Sequence, residues 1–390
     1  MSVFAGSLKL PAAGERSGFF HDPGKAVIIS ARSIRGNPSF CIAVSGFVMA
    51  MATVHADGTG PKRAGEPAEP GFVASREKRK EMTLDEFLDA NNERYRTALS
   101  RAKHWLDALE VNPVELRARG IKGKKKLAEL LDAYLGLYAV ASVDEKPGIA
   151  SRIRAIAALT ATPGYHDMLR IPDRQFHEDA TSYLRTAFLM DRFGLDTGLY
   201  RKEIKSALPR FNSQMPNRGV NQRMAFHTYY SHFKLEEPFP LAGAFETGVI
   251  SARRDAAWFK RNKMEIYSLT HEIFAPYEFG EKLDADFFSD SDKACLRPLL
   301  EELTAHSISQ NDPDIAAELV SCLRYLHFTD QPIYRRGIEF LLESQGQDGK
   351  WGNYEQHRHY YGDYVNQAFY LHTTLVALSA LNTSFFFREK

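Results

Sequence analysis

Phe340-Leu341-Leu342-Glu343-Ser344-Gln345-Gly346-Gln347-Asp348-Gly349-Lys350-Trp351-Gly352 is the stretch that decides the fold. An apolar helix end runs into Ser-Gln and then into Asp-Gly-Lys-Trp-Gly, where glycines permit a tight turn and one large aromatic can pack beside it. Just upstream, Leu323-Arg324 precedes Tyr334-Arg335 and Ile338, and this unit ends at Ser344-Gln345. The same order occurs earlier: Tyr183-Leu184-Arg185, then Tyr200-Arg201 and Ile204, ending at Ser213-Gln214. A repeated helix pair predicts stacked helix hairpins, either a solenoid or a closed ring.

The rest of the chain keeps the same rhythm. Thr83 is placed to cap a helix with Glu86 as its capping-box partner, and Leu84, Phe87, Leu88, Leu99, Trp105 and Leu109 keep helical spacing. Asn112-Pro113 ends that helix and starts the next, with Pro at the first helical position. Leu127, Leu130, Leu131, Tyr134, Leu135 and Tyr138 give a second long apolar face. Further helices are expected near 149–161, 176–193, 199–211, 217–234, 253–275, 289–306, 312–327, 331–344 and 364–382. Alternating β-branched runs are missing, so the prediction is an all-α fold of about ten to twelve helices.

The apolar helix, Gln345 and the Asp348-Gly349-Lys350-Trp351-Gly352 turn resemble the helix-end motif of the α/α toroids. These include squalene cyclases and protein prenyltransferases, with related rings in complement thioester domains and some secreted polysaccharide lyases. The motif resemblance covers about residues 310–382, and the helix from Ala368 to Leu381 would be the next stave. It implies a ring with inner helices around a central cleft, but no reaction, because toroids host unrelated chemistries. The acid string of the terpene cyclases is not matched: Asp284-Ala285-Asp286-Phe287 lacks the fourth acid. Nor are the cysteine ligands of the zinc-dependent toroid enzymes in sufficient supply. The acids Asp284, Asp286, Asp290 and Asp292 read as a solvated loop, with Asp290 or Asp292 capping the next helix.

Composition sets the outer limits. The 390 residues are 44% hydrophobic and 25% charged, with a net charge of +1, so there is no global electrostatic reason to expect nucleic acid or an anionic membrane. Phe40 to Val54 is the single uncharged apolar run, too short to cross a bilayer comfortably. With Lys25, Arg32 and Arg35 before it and Val54-His55-Ala56 after it, the run reads as a signal peptide ending before Asp57, behind an over-long extension. The alternative is a disordered tail and a buried helix. On the signal-peptide reading, residues 1–56 are removed, 57–81 form a Gly/Pro-rich linker, and 82–390 form an exported, slightly acidic toroid domain, expected as a monomer without a transmembrane anchor. Cys295 and Cys322 then remain as a candidate disulfide, the alternative being two apolar thiols.

Two polar groups stand out on this apolar background. His271, in Tyr267-Ser268-Leu269-Thr270-His271-Glu272, and His372, in Phe369-Tyr370-Leu371-His372-Thr373, each lie on a mainly apolar helical stripe. In a ring such stripes can face a cleft, and two histidines with Glu272 could hold Zn, Cu or Fe. The competing reading is ordinary hydrogen-bonded core histidines. Gln356, His357, Arg358, His359, Tyr360, Tyr361, Asp363, Tyr364, Asn366 and Gln367 form a second group, expected at the rim. With Trp351 and Tyr370 it offers a base, an acid and carboxylate-neutralising groups of the kind a lyase of acidic sugars uses. His227 and His232 do not share a helix face and are expected to be structural or at the surface, and the basic runs 76–80 and 117–126 to be solvated helix faces. Three classes result. One is an enzyme using His271, His372, a carboxylate and a metal; the second is a metal-independent polysaccharide lyase or hydrolase using Tyr370, Arg358, His359, Asp363 and Asn366; the third is a non-catalytic binding protein. The ligand expected in the cleft is a small molecule, peptide or polysaccharide.

Overall fold

The computed structural model describes residues 82–386 apart from 240, 241, 281 and 284, all within the unit Val44–Lys390. The signal peptide, the linker and Asp284 lie outside the described residues. Fourteen helices and no strand are present among the described residues, against the ten to twelve expected. The excess is short pieces, such as one long expected segment that divides at Asn262.

Helix α1 (Leu84–Asp107) starts at Thr83 with the expected capping box, and α2 (Pro113–Ala118) starts at an Asn112 side chain that accepts the N–H of Val114 and Glu115. There follow α3 (Gly123–Val140), α4 (Lys146–Ala158), α5 (Asp173–Arg192), α6 (Gly198–Gln214), α7 (Val220–Phe233), α8 (Ala256–Arg261), α9 (Lys263–Phe274) and α10 (Asp290–Ser309). The chain ends with α11 (Pro313–Tyr325), α12 (Pro332–Glu343), the single turn α13 (Arg358–Tyr361) and α14 (Leu371–Phe385). The cap of α10 is Ser289, whose hydroxyl accepts the Asp292 N–H at 3.2 Å, and not either aspartate as expected. A hydroxyl one residue earlier reaches the free N–H groups at the proper offset.

Six helices touch one another in a closed cycle: α3 with α5, α5 with α7, α7 with α9, α9 with α11, α11 with α14, and α14 with α3. Seven of the others back onto them, α2 and α4 on α3, α6 on α5, α8 on α9, α10 and α12 on α11, and α1 on α14. The repeat seen in the sequence therefore corresponds to two such pairs, α5–α6 and α11–α12, and Tyr200 and Tyr334 are buried at matching places in the outer helices. Helix α11 is buried along all 13 of its residues, including the polar Asp314, Glu318, Ser321 and Arg324. Its neighbour α12 approaches closely at Gly337, where a Cβ would stand 2.4 Å from Val320 Cγ2.

The turn motif joins the two ends of this fold. Gln345 Nε2 donates to Ala98 O in α1 and to Gly349 O, both at 2.9 Å, and Gly349 takes φ +93° with its Cα facing Arg101 O. A Cβ there would lie 2.2 Å from that carbonyl, so only glycine fits. Trp351 is fully buried, donates Nε1–H to Leu341 O at 2.7 Å, and donates its backbone N–H to Thr374 Oγ1 at 3.2 Å. It is sealed between α12 and α14, so it is not placed to bind a substrate as expected.

Cys295 is exposed and Cys322 buried, and both are free thiols. The expected disulfide is absent because Cys322 sits inside the wholly buried α11, while Cys295 faces outward beside Arg253 Nη1 at 2.6 Å. No helix of the described residues is long and apolar enough to cross a membrane.

Candidate functional site

Four of the six cyclically packed helices send polar groups to one place. Helix α9 brings Tyr267, Thr270 and His271; α11 brings Asp314 and Glu318; α14 brings His372 and Thr373; and α3 brings Lys126 and Glu129. Asp314 and Glu318 are four apart and so share a face of α11. A carboxylate in a fully buried helix is costly unless partners surround it, and here nearly every polar atom has one. Thr270 donates to Glu318 Oε2, Tyr267 donates to Asp314 Oδ2, and Thr373 donates to Asp314 Oδ1 at 2.8 Å. With its proton so committed, Thr373 accepts from Tyr354 at 2.8 Å, which ties the loop after the Trp351 turn to the site.

One atom is the exception. Glu318 Oε1 is buried and has no hydrogen-bond partner, and it lies 3.6 Å from His271 Nε2 and 3.6 Å from His372 Nε2. The two imidazole nitrogens are thus no further apart than twice that distance. Each ring is also held from behind: His372 Nδ1 is 3.0 Å from Glu129 Oε1, and the Asn221 side-chain amide donates to His271 Nδ1 at 3.4 Å. Lys126 Nζ in turn donates to Glu129 Oε2 at 2.8 Å. The histidine side chains remain partly exposed, 32% for His271 and 23% for His372, whereas Glu318 is 1% exposed, so the carboxylate forms the floor between them.

The charges of this group are coupled. Burial pushes the His372 imidazole down, but Asp314, Glu129 and Glu318 more than reverse this and raise it to about 9. Burial would likewise raise Glu318, yet the electrostatic pull of His271 and His372 beside it holds it below the usual carboxylate range. Glu129 lies well below its ordinary value because Lys126, Lys125 and His372 outweigh its burial. Burial lowers Lys126, with Glu129 opposing, and it raises the Tyr267 hydroxyl, helped by Asp314. The arrangement at neutral pH is therefore an imidazolium at His372 facing ionised carboxylates.

Several expected site residues lie elsewhere. Glu272, adjacent to His271 in sequence, points to another side of α9, where its oxygens accept the N–H groups of Val249 at 3.0 Å and Ile250 at 3.1 Å. It anchors that loop, and Glu318 stands in the place assigned to it. Tyr370 is buried, accepts the Tyr354 N–H at 3.0 Å and donates to Glu355 Oε1 at 3.0 Å, so it braces the loop and touches neither histidine. Arg358 pairs with Glu355 at 2.6 Å and with Asp363 at 2.8 Å on an exposed rim, and His359 Nδ1 meets the Gln356 carbonyl. Asn366, at the start of a π-helical turn leading into α14, has a buried side-chain oxygen without a partner. Among the described residues no three His, Cys, Asp or Glu side chains are grouped to hold a metal ion. The set His271, Glu272 and His372 fails as a ligand set because the residue after His271 is rotated away from it around the helix.

The basic run also departs from expectation. Lys124 and Lys126 are buried, not solvated. Lys124 Nζ lies 2.6 Å from Asp167 and 3.5 Å from Asp179, and Arg117 bridges the same two acids at 2.8 Å each. His232 pairs with Asp191 at 2.8 Å and His227 with Glu237, in keeping with structural roles.

A family model described as "Domain of unknown function (DUF6895)" matches residues 95–381, which takes in every site residue named above from Lys126 to Thr373. No curated protein and no solved structure matches.

Proposed function

Since the chain belongs to the DUF6895 family, whose function is unknown, its own residues must carry the reading, and we propose that it is an enzyme catalysing proton transfer within an α/α toroid, with Glu318, His372 and His271 as its working groups. The observation that carries this is the buried, unpartnered Glu318 Oε1 set 3.6 Å from two imidazole nitrogens on two other helices. A gap of that size is too long for a direct hydrogen bond. It suits a polar atom of a substrate or a water between the three groups.

The roles follow from the hydrogen bonds. His372, held as the imidazolium by its carboxylates, is the general acid through Nε2–H. With Nδ1 taken up by the Asn221 amide, His271 turns Nε2 to the site and presents it as a second donor to a developing negative oxygen. Glu318 is the base. Its low proton affinity comes from the two imidazoles, so a substrate oxygen that takes their N–H groups raises Glu318 basicity at the moment it is needed. The proton moves from substrate to Glu318 Oε1, and His372 supplies one to the departing or newly charged oxygen. The signal-peptide pattern of residues 40–56 supports action outside the cytoplasm. The cyclic contacts of the six helices and the Gln345–Gly352 turn support the toroid reading.

The test pairs the full-length wild type with Glu318→Gln and His372→Ala across uronic-acid polymers, read by the ultraviolet absorbance of unsaturated products, and across a cell-extract metabolite pool, read by mass spectrometry. We expect a component consumed by the wild type and at least ~100-fold slower turnover in both variants, the range that a general acid or base supplies. Turnover equal in all three proteins, or none with any component while ligands bind all three alike, would leave a binding protein with core histidines. Metal analysis of the same samples tests the alternative chemistry: one equivalent of zinc, copper or iron, lost in His271→Ala and His372→Ala, would replace the acid–base reading with a metal-assisted one.

A further inference from the structure

Behind His372 lies a chain of buried groups that the proposed proton transfer does not itself use. Glu129 Oε1 meets His372 Nδ1 at 3.0 Å, its other oxygen accepts from Lys126 Nζ at 2.8 Å, and Lys125 Nζ lies 3.5 Å from Oε1. Glu129 is 7% exposed and Lys126 6% exposed, so neither is placed to meet a substrate. A buried ammonium and carboxylate are kept at a desolvation cost that an apolar pair would avoid. Here the pair has a definite geometric effect: it occupies one nitrogen of His372 and so decides which nitrogen is left to face Glu318.

We propose that Glu129 is a positioning residue for His372, holding Nδ1 so that Nε2 is aimed at Glu318 Oε1, and that Lys126 fixes Glu129 in the orientation this requires. The proposal rests on His372 being the working acid, but its geometry can be tested without any substrate. The groups facing His372 are Glu129, Lys125 and Lys126 from α3, Asp314 and Glu318 from α11, and His271 from α9, with Tyr267 behind Asp314. Asp314 Oδ1 is 3.9 Å from Nε2 and already accepts from Thr373, so among these carboxylates only Glu129 hydrogen-bonds the Nδ1 side.

The experiment is nitrogen-15 NMR of the histidine rings in the full chain, with His372 assigned by its loss in His372→Ala. In the wild type the Nδ1 proton should be strongly deshielded and slow to exchange, as expected for a proton bonded to a carboxylate. Glu129→Gln should abolish that signal and weaken proton binding by His372 at least tenfold. Lys126→Met should keep the signal and strengthen proton binding, because it removes a positive charge and leaves Glu129 without its ammonium. Movement in opposite directions is what a merely structural role would not produce. An unchanged Nδ1 signal in Glu129→Gln, or the same direction of change in both variants, overturns the proposal. If Glu129→Gln does not fold, Glu129→Asp keeps the charge with a shorter reach: a weakened Nδ1 signal supports positioning and an unaltered one overturns it. None of these outcomes depends on turnover, so positioning can fail while the enzyme reading stands, and the reverse.

Discussion

Lys124 and Lys126 stand two residues apart on α3, both buried, and each heads a cluster of charges, yet the two clusters end differently. Around Lys124 the charges close on themselves: Arg117, Lys124, Asp167 and Asp179 pair two cations with two carboxylates at 2.6 to 3.5 Å. Around Lys126 the chain runs through Glu129 and His372 and stops at Glu318 Oε1, an oxygen with nothing bonded to it. A buried network that is fully satisfied rigidifies a fold, whereas one that leaves an oxygen open keeps a place for something else. The first ties α3 to α5 and the loop before it. The second draws its groups from α3, α9, α11 and α14.

The contrast can be broken most sharply from the closed side. Lys124→Met leaves Asp167 and Asp179 short of a buried cation, and we expect a loss of about 3–5 kcal/mol in denaturant unfolding, the cost of breaking a buried pair. A loss below about 1 kcal/mol would mean that Arg117 alone suffices and that the cluster is not closed in the sense argued. Next in size is the pH dependence of the open cluster. With His372 raised to about 9, its stabilisation is fully present below the unfolded value near 6.5 and is lost as pH rises through the folded value. Unfolding free energy should therefore fall by roughly 3 kcal/mol between about pH 6.5 and 9. A flat profile in that window, or the same slope in His372→Gln, would contradict the imidazolium.

The smallest expected cost sharpens the comparison from the other direction. Glu318→Gln keeps the shape and an acceptor for Thr270 but gives up the charge beside His372, and we expect a stability loss smaller than that of Lys124→Met together with loss of turnover. A large destabilisation would make Glu318 a structural acid like Asp167. Thiol labelling gives a check on the surrounding core with no energetic effect at all. Cys295, which is exposed, should react at once in native protein, while Cys322 reacts only on unfolding. Rapid labelling of both would mean that α11 is not the buried wall on which the site depends.

The all-α class, the caps at Thr83 and Asn112, the hairpin repeat and the Trp351 turn were readable because each is written in local spacing: apolar residues every three or four places, a hydroxyl or amide before a helix, glycines at a turn. The two histidines were also readable, as polar residues on apolar stripes. Their carboxylate was misread. Glu272 is the neighbour of His271 in sequence, but successive helical residues diverge by about 100°, and the acid that meets both rings comes from α11. A signal for it existed in Asp314 and Glu318, two acids four apart set among the apolar Ile315, Ala316, Ala317, Leu319 and Val320. Lys126 and Glu129 were hidden in a run of lysines that looked solvated. The rim residues Arg358, His359 and Asp363 are attractive by composition, but Arg358 is taken up by Glu355 and Asp363, and His359 meets only the Gln356 carbonyl.

By itself the sequence determined what each segment becomes, since helix periodicity, caps and the Asp-Gly-Lys-Trp-Gly turn act over a few residues and need no distant partner. Only the tertiary structure decided which charged side chains share a dry interior. That depends on which helices meet: α3 with α14, α9 with α11, and α14 with α11. Burial is a property of those meetings. It is burial that turns a lysine in a basic run into the anchor of a histidine, and an unremarkable glutamate of an apolar helix into the one oxygen left open between two imidazoles.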